Sequence, residues 1–417
     1  MIPLELAVIE PLGRLHTRPW AAEVTGVQID SRRIEEGDLF VAIGSGADFI
    51  PHALARGAAA ALVPDDDHTA LAAIAGAVRD RSTARVVGIT GATGKTTTKD
   101  ILAALCAPHR RTVASEGNFN NELGVPLTVC RLEPDTEVLI AEMGMRGVGQ
   151  IAWLASFARP EIGLITNIAP VHLELVETLE NVARAKAELI EALPPGGTAV
   201  VPEEPLLEPY LTRTDIDIRR FGHVDEPGRF QVGDRVVTLR TSFTARHQLD
   251  NTLAALTVCD VLGIPLADGT LEVEFSALRE QVLELPGDVL LINDCYNANP
   301  ISMRAALAHL AELAGGRRRV AVLGGMAELG AGAAAFHREI GAAAAAAGVS
   351  ELVAVGELAR DYAVGAAGVE IHHAASADAA ADLLRELVRP GDVVLVKGSR
   401  SVGLEAVAAK LLPPRVG

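Results

Sequence analysis

Cysteine is scarce and scattered: Cys106, Cys130, Cys259 and Cys295 form neither a C-x-x-C pair nor a metal-ligand pattern. That excludes a disulfide framework or a thiolate metal centre, and the thiols read as those of a reduced cytosolic chain. Long apolar runs are also missing, since none approaches the ~18 residues a membrane helix requires. The opening MIPLELAVIEPLG has no basic region ahead of its apolar residues, so it does not read as a secretory signal. Positive charge is in deficit: 37 Lys and Arg stand against 54 Asp and Glu, giving a net −17. A nucleic-acid backbone or an anionic membrane is therefore a poor partner. A small phosphorylated ligand is untouched by this argument, because a local loop decides its binding. Internal repeats and long disordered linkers are absent too. The expectation is a cytoplasmic globular protein of about two to four domains, with no membrane span.

What is present is dominated by GITGATGKTTTKD, Gly88 to Asp100. The β-branched Val86, Val87 and Ile89 precede its glycines, and Ile101, Leu102 and Leu105 follow at helical spacing. Strand, glycine loop and helix in that order aim unpaired backbone N–H groups and a helix dipole at a phosphate. Gly91 and Gly94 permit the tight turn and the close approach of an anion, Lys95 supplies a fixed positive charge, and the Thr96 hydroxyl can reach a phosphate-bound Mg²⁺. Ala92, Thr93 and Thr97 complete the loop. The usual pattern has glycine where Ile89 stands, so this is a shortened form, T-G-x-x-G-K-T.

Ahead of the loop, residues 1–84 read as a smaller unit. It has two strands around a polar turn in Gly26 to Ile43, and a helix running into a strand in His52 to Val63. The Asp30-Ser31-Arg32 turn either offers a hydroxyl and a guanidinium to a phosphate or ribose, or is an ordinary Asx turn.

From Val86 onward strand and helix patterns alternate, as in a parallel sheet covered on both faces. After a strand near Thr112 to Ser115 comes EGNFNNELGVPLT, where Asn118, Asn120 and Asn121 suit a polar ligand and equally suit turns. The strand Val138 to Ala141 ends in Glu142. In an open α/β sheet, ligands sit off the carboxyl ends of strands, so Glu142 faces the phosphates and can hold Mg²⁺. The strand Ile162 to Thr166 delivers Asn167 and His172 to the same edge. His172 is either a structural or exposed imidazole, or a metal ligand beside that carboxylate.

In VARAKAELIEAL, Val182 to Leu193, the apolar stripe is Val182, Leu189, Ile190 and Leu193, and Lys186 points the same way. Its stem either snorkels to the surface or turns into a catalytic site, where carbamylation by CO₂ would make it a metal-binding anion. A hairpin at Phe230 to Phe243 and a helix from about His247 to Leu262 follow. Near Ala277 a second doubly wound unit begins. It contains NDCYNANP, a helix from about Ile301 to Leu313, and the strands RVAVLGG, ELVAVG and DVVLVKGSR between alanine-rich helices.

The shortened P-loop, Glu142, His172 and Lys186 occur in the order and context of the Mur ligase family, the ATP-dependent amide-forming enzymes of peptidoglycan precursor synthesis. N-x-N-N-E-L-G-V-P-L-T (Asn118 to Thr128), D-x-Y-N-A-N-P (Asp294 to Pro300), M-A-E-L-G (Met326 to Gly330) and V-L-V-K-G-S-R (Val394 to Arg400) resemble the branch that adds D-alanyl-D-alanine. The resemblance covers nearly the whole chain, including the turn at Ile29 to Arg32. It implies an α/β protein of three domains. These are a small N-terminal α/β domain for a UDP-sugar (1–84), a central P-loop parallel-sheet ATPase (85–276) and a C-terminal Rossmann-like domain (277–417) that closes over ATP.

The implied reaction joins D-Ala-D-Ala to UDP-MurNAc-tripeptide through an acyl phosphate, in a monomer that uses ATP and Mg²⁺. By resemblance, Lys95 sits on the phosphates, Thr96 and Glu142 hold one Mg²⁺, and His172 with carbamylated Lys186 holds a second. Asn251 and Asp294 would hold adenosine and Arg279 would reach the phosphates. Ser31, Asn120 and Asn121 would meet the UDP-sugar, while Tyr296, Asn297, Lys397 and Arg400 would line the closing domain. Three stretches depart from the family pattern. Leu278 stands for the glycine before Arg279, PEEPLLEP replaces an asparagine- and aspartate-bearing segment after the strand at Thr198 to Val201, and the Gly44–Asp48 loop is short. A ligase joining a different carboxylate and amine in secondary metabolism is the alternative enzyme; a non-catalytic nucleotide binder is the alternative outside enzymes.

Overall fold

A computed structural model describes residues 1–276, 278–279 and 281–411. The expected boundary residue Ala277 and the segment 412–417 lie outside the described residues. The chain forms α/β layers around two six-stranded sheets. In the first, all strands are parallel, in the order Asp217–Phe221, Thr198–Pro202, Ile162–Ile165, Arg85–Thr90, Val138–Glu142, Thr112–Ala114. Its central strands are apolar on both faces and nearly every residue in them is buried, which is what helices on both sides require. From Arg85–Thr90 the chain moves to one side of that strand and later returns to the other. The glycine loop therefore leaves the sheet at the point where the strand order reverses, the place where such sheets bind ligands.

The second sheet runs Gln281–Leu285, Val289–Asp294, Val393–Lys397, Arg319–Gly324, Glu351–Val355, Glu370–Ala374. Only Gln281–Leu285 is antiparallel, an edge strand whose outward residues are half-exposed. A four-stranded sheet near the N-terminus (Gly13–Thr17, Ala60–Pro64, Asp38–Val41, Gly26–Gln28) shares an apolar core with the first large sheet. Ile2, Leu4, Val24 and Leu39 belong to the same cluster as Leu139 and Ile165, and the Ile2 N–H donates to the Leu132 carbonyl. The C-terminal sheet instead has two cores of its own, one on each face. Apolar burial thus fuses the first two units and leaves the third free of their core. The expected hairpin forms, with Arg229–Val232 antiparallel to Arg235–Thr241, and the helix after it spans Arg246–Leu262. Among the described residues, no helix is long and apolar enough to cross a membrane.

Candidate active site

The carboxyl ends of the two large sheets face one cleft of about 890 Å³. Its floor is the glycine loop. Gly91 adopts φ +150 and Gly94 φ +77, and Gly94 opens the helix Lys95–Cys106. Both glycines are required. A Cβ on Gly91 would overlap Thr166 Oγ1, and one on Gly94 would lie 2.6 Å from Asn251 Oδ1. The loop is braced by a residue whose weight the motif does not show: Asn167 accepts the Thr93 N–H through Oδ1 at 3.0 Å and donates through Nδ2 to Thr93 Oγ1 at 2.9 Å. Lys95 Nζ folds back to donate to the Gly91 carbonyl at 2.8 Å. Burial and the Arg279 charge lower the Lys95 pKa, and Glu142 opposes them.

Beside the loop, two buried oxygens have no hydrogen-bond partner among the described residues: Thr96 Oγ1 and Glu142 Oε2. The other Glu142 oxygen is fixed by Asn120 Nδ2 at 2.7 Å. A carboxylate and a hydroxyl, buried and unsatisfied at the end of a phosphate loop, are the hard oxygen donors that Mg²⁺ takes, so the residues present fit the cation.

Lys186 does not snorkel. It lies in the helix Leu179–Glu191, is 2% exposed, and has no hydrogen bond or ion pair among the described residues. Burial, reinforced by the charge of Lys95, holds its pKa well below the ordinary lysine value. His172 is half-buried at φ +54, with Nδ1 against the Glu328 carboxylate from the other sheet. Burial lowers its pKa while Glu328 works to raise it.

The rest of the expected set falls into three groups. Ala92, Thr93, Thr97, Asn120, Asn121 and Asn251 line the cleft from the first sheet, and Arg279, Asp294, Tyr296, Asn297, Lys397 and Arg400 line it from the second. Gly91, Lys186 and Ser31 are not on its wall. Ser31 is buried in the N-terminal unit, where its Oγ pairs with His52 Nδ1 at 3.0 Å. Around it Asp30 accepts both the Arg32 N–H and its guanidinium, so the turn is of the Asx kind. Asn121 lies just ahead of the short helix Gly124–Val129, its Oδ1 taking the Gly124 N–H at 2.9 Å.

Lys397 and Asp294 stand opposite each other on neighbouring parallel strands and form a buried ion pair at 2.6 Å. The Arg279 guanidinium lies 4.1 Å from the centre of the Tyr296 ring. Leu278 keeps the turn that glycine would make, at φ +63, and its carbonyl receives the Tyr296 N–H. Of PEEPLLEP, Pro202, Glu203 and Glu204 reach the cleft wall, and Glu204 also caps Leu206. The short loop forms a 3₁₀ turn, Gly44–Phe49. The cleft holds residues that local pattern did not single out, chiefly Glu328 and Arg146.

Comparison with known proteins bears on this arrangement. The Mur ligase middle domain matches residues 89–259, the glutamate ligase domain of Mur ligases matches 278–400, and a Mur ligase family catalytic domain matches 23–107. The chain belongs to the Mur ligase family. A relative from Synechocystis, a UDP-N-acetylmuramoyl-tripeptide–D-alanyl-D-alanine ligase, is 35% identical over 93% of this chain and 92% of its own. A crystal structure of MurF from Acinetobacter baumannii superposes with a TM-score of 0.85 at 26% identity, covering 98% of each chain. A second, MurF from Thermotoga maritima in complex with ADP, covers 93% of this Mur ligase and 96% of its own chain, with a TM-score of 0.76 at 26% identity.

Proposed function

We propose that this Mur ligase joins the amine of D-alanyl-D-alanine to the terminal carboxylate of UDP-N-acetylmuramoyl-tripeptide at the expense of ATP. Near full-length similarity to ligases of that name supports this reading over a ligase for a different carboxylate and amine. The observation that carries the chemistry is the pair of unsatisfied buried oxygens, Thr96 Oγ1 and Glu142 Oε2, beside Lys95 at the mouth of the loop. A protein that only bound nucleotide would have no need of two cation positions, one at Thr96 and Glu142 and one at His172 and Lys186.

The substrate carboxylate attacks the γ-phosphorus of ATP, ADP departs, and an acyl phosphate forms. The dipeptide's neutral amine then adds to the activated carbonyl, which expels inorganic phosphate, and the amine's proton passes to solvent. Carboxylate and triphosphate repel each other, so the site must bring positive charge to the transferring phosphoryl group. Lys95 provides it from the loop and Arg279 from the edge of the second sheet. Mg²⁺ held by Thr96 and Glu142, and a second ion held by His172 and a carbamylated Lys186, would add charge neutralisation there. A lysine held well below its ordinary pKa carries the free amine that CO₂ needs, and its carbamate would answer the charge of Lys95.

Asn251 and Asp294 serve the adenosine. Ser31, Asn120 and Asn121 serve the UDP-sugar side, and Tyr296, Asn297, Lys397 and Arg400 serve the closing side. Residues 1–84 act as the UDP-sugar domain, 85–276 as the ATPase and 277–417 as the domain bringing the dipeptide. The enzyme works as a monomer in the cytoplasm; the net charge of −17 and four buried free cysteines accord with the compartment. The test is phosphate release from ATP with UDP-MurNAc-tripeptide and D-Ala-D-Ala, each omitted in turn. Release that requires the tripeptide, with ligation requiring both, is expected; bound ATP without substrate-dependent ADP formation overturns the reading.

A further inference from the structure

Glu328 belongs to M-A-E-L-G, the loop after the strand Arg319–Gly324 in the C-terminal sheet, yet its carboxylate meets His172 at the edge of the first sheet. The loop presenting it is pinned just ahead of Glu328. The Met326 N–H donates to His337 Nε2 at 2.9 Å, and the Ala327 N–H to Ser399 Oγ at 2.9 Å. Gly330, two residues on, lies against Glu174 beside His172. Glu328 and His172 both adopt positive φ, +61 and +54, a conformation non-glycine residues avoid unless their surroundings impose it. Two strained residues from separate cores thus meet side chain to side chain.

The chemistry of the contact is directional. A carboxylate accepts, so Nδ1 of His172 must carry the proton and donate, and the lone pair of the neutral ring then lies on Nε2. A histidine that ligates a metal commonly has its other nitrogen held by a carboxylate, which fixes tautomer and ring orientation. Here that carboxylate comes from the unit that shares no core with the histidine's own.

We propose that Glu328 is a positioning residue for His172: its carboxylate fixes the imidazole with Nε2 turned to the second cation position, so that position is complete only when the C-terminal sheet has closed on the first. This rests on the ligase reading and on His172 as a cation ligand. Closure then does more than cover ATP, because it completes a cation position.

The experiment is Mn²⁺ binding, followed by electron paramagnetic resonance, to the full-length protein with a non-hydrolysable ATP analogue and the UDP-MurNAc-tripeptide. Wild type, Glu328→Ala, Glu328→Gln and His172→Ala are compared, with thermal unfolding as the folding control. Glu328→Ala is expected to weaken the second Mn²⁺ by about 10- to 100-fold and leave the first unchanged. Glu328→Gln, whose amide oxygen still accepts from Nδ1, should lose less. His172→Ala should abolish the second site. If Glu328→Ala binds both ions as wild type does while His172→Ala loses one, this inference is overturned and the ligase reading stands. Indifference to both substitutions overturns the assignment of His172 beneath it as well.

Discussion

Replacing Lys186 with methionine is expected to stabilise the free protein and to abolish ligation. The side chain is 2% exposed, has no hydrogen bond or ion pair among the described residues, and sits close enough to Lys95 for the two charges to oppose each other. Methionine keeps the unbranched shape and packs beside Val182, Leu189 and Ile190, which are fully buried. Replacing a buried ion pair with apolar side chains of similar volume is neutral or gains about 1–4 kcal/mol in other proteins, and a gain of about that size is expected for a buried lysine with no carboxylate partner to lose among the described residues. The gain must depend on pH. The unfolded chain holds the lysine proton up to about pH 10.4, whereas the folded chain releases it far lower, so the unfolded state binds more protons between the two values. Wild-type stability therefore rises with pH across that window, and Lys186→Met lacks the rise.

Urea unfolding in buffer stripped of CO₂ measures both effects. Trp153 is a suitable fluorophore because its helix, Gln150–Ala158, packs against the one carrying Lys186. The expected record is a variant more stable near neutrality whose advantage shrinks towards pH 10 or so. A variant less stable than wild type, or an advantage constant with pH, would show that the Lys186 ammonium has a partner in the folded state and refute the reasoning.

Gly91→Ala should cost about 2 kcal/mol or more, from positive-φ strain and overlap with Thr166, and should weaken binding of an ATP analogue. Gly147→Ala, which meets nothing, is the control, and an unchanged Gly91→Ala midpoint would contradict the loop geometry. His337 is held neutral by burial, with Nδ1 donating to the Ala333 carbonyl and Nε2 accepting from Met326. The unfolded chain takes up that proton first, so this contribution to stability is full above about pH 6.5 and disappears as pH falls through the depressed folded value. His337→Gln should flatten the acid limb of stability against pH, and an unaltered limb counts against the assignment. Cys130, whose thiol burial pushes up to about 12, should resist disulfide reagents in the native protein, and fast labelling would contradict its packing. Lys186→Ala should lose ligation and regain part of it with added short carboxylates; full activity without them would remove the carbamate.

The residues legible in the sequence are those whose signal is local. The glycine loop announces itself because strand, glycines, lysine and helix are contiguous, and Glu142 follows because a strand end in an open sheet is a ligand position. Lys186 was legible as an anomaly of periodicity, a lysine on an apolar stripe, but its two readings could be separated only by burial. Pairings between distant segments had no such signal. Asp294 and Lys397 cancel each other because their strands lie side by side in register, a neighbourhood made by a crossover of about a hundred residues. Glu328 looks like one acidic residue in a loop until the fold sets it on His172.

Leu278 gives the opposite lesson. A substitution that removes the glycine leaves the turn intact at φ +63, because the partly buried side chain packs on the C-terminal core and the carbonyl is held by Tyr296. A sequence motif registers which residue is cheapest for a conformation, while the surrounding contacts decide whether that conformation is kept. The same reasoning applies to the strain at His172 and Glu328: neither position is a glycine, and each retains a costly backbone angle where one side chain must face the other.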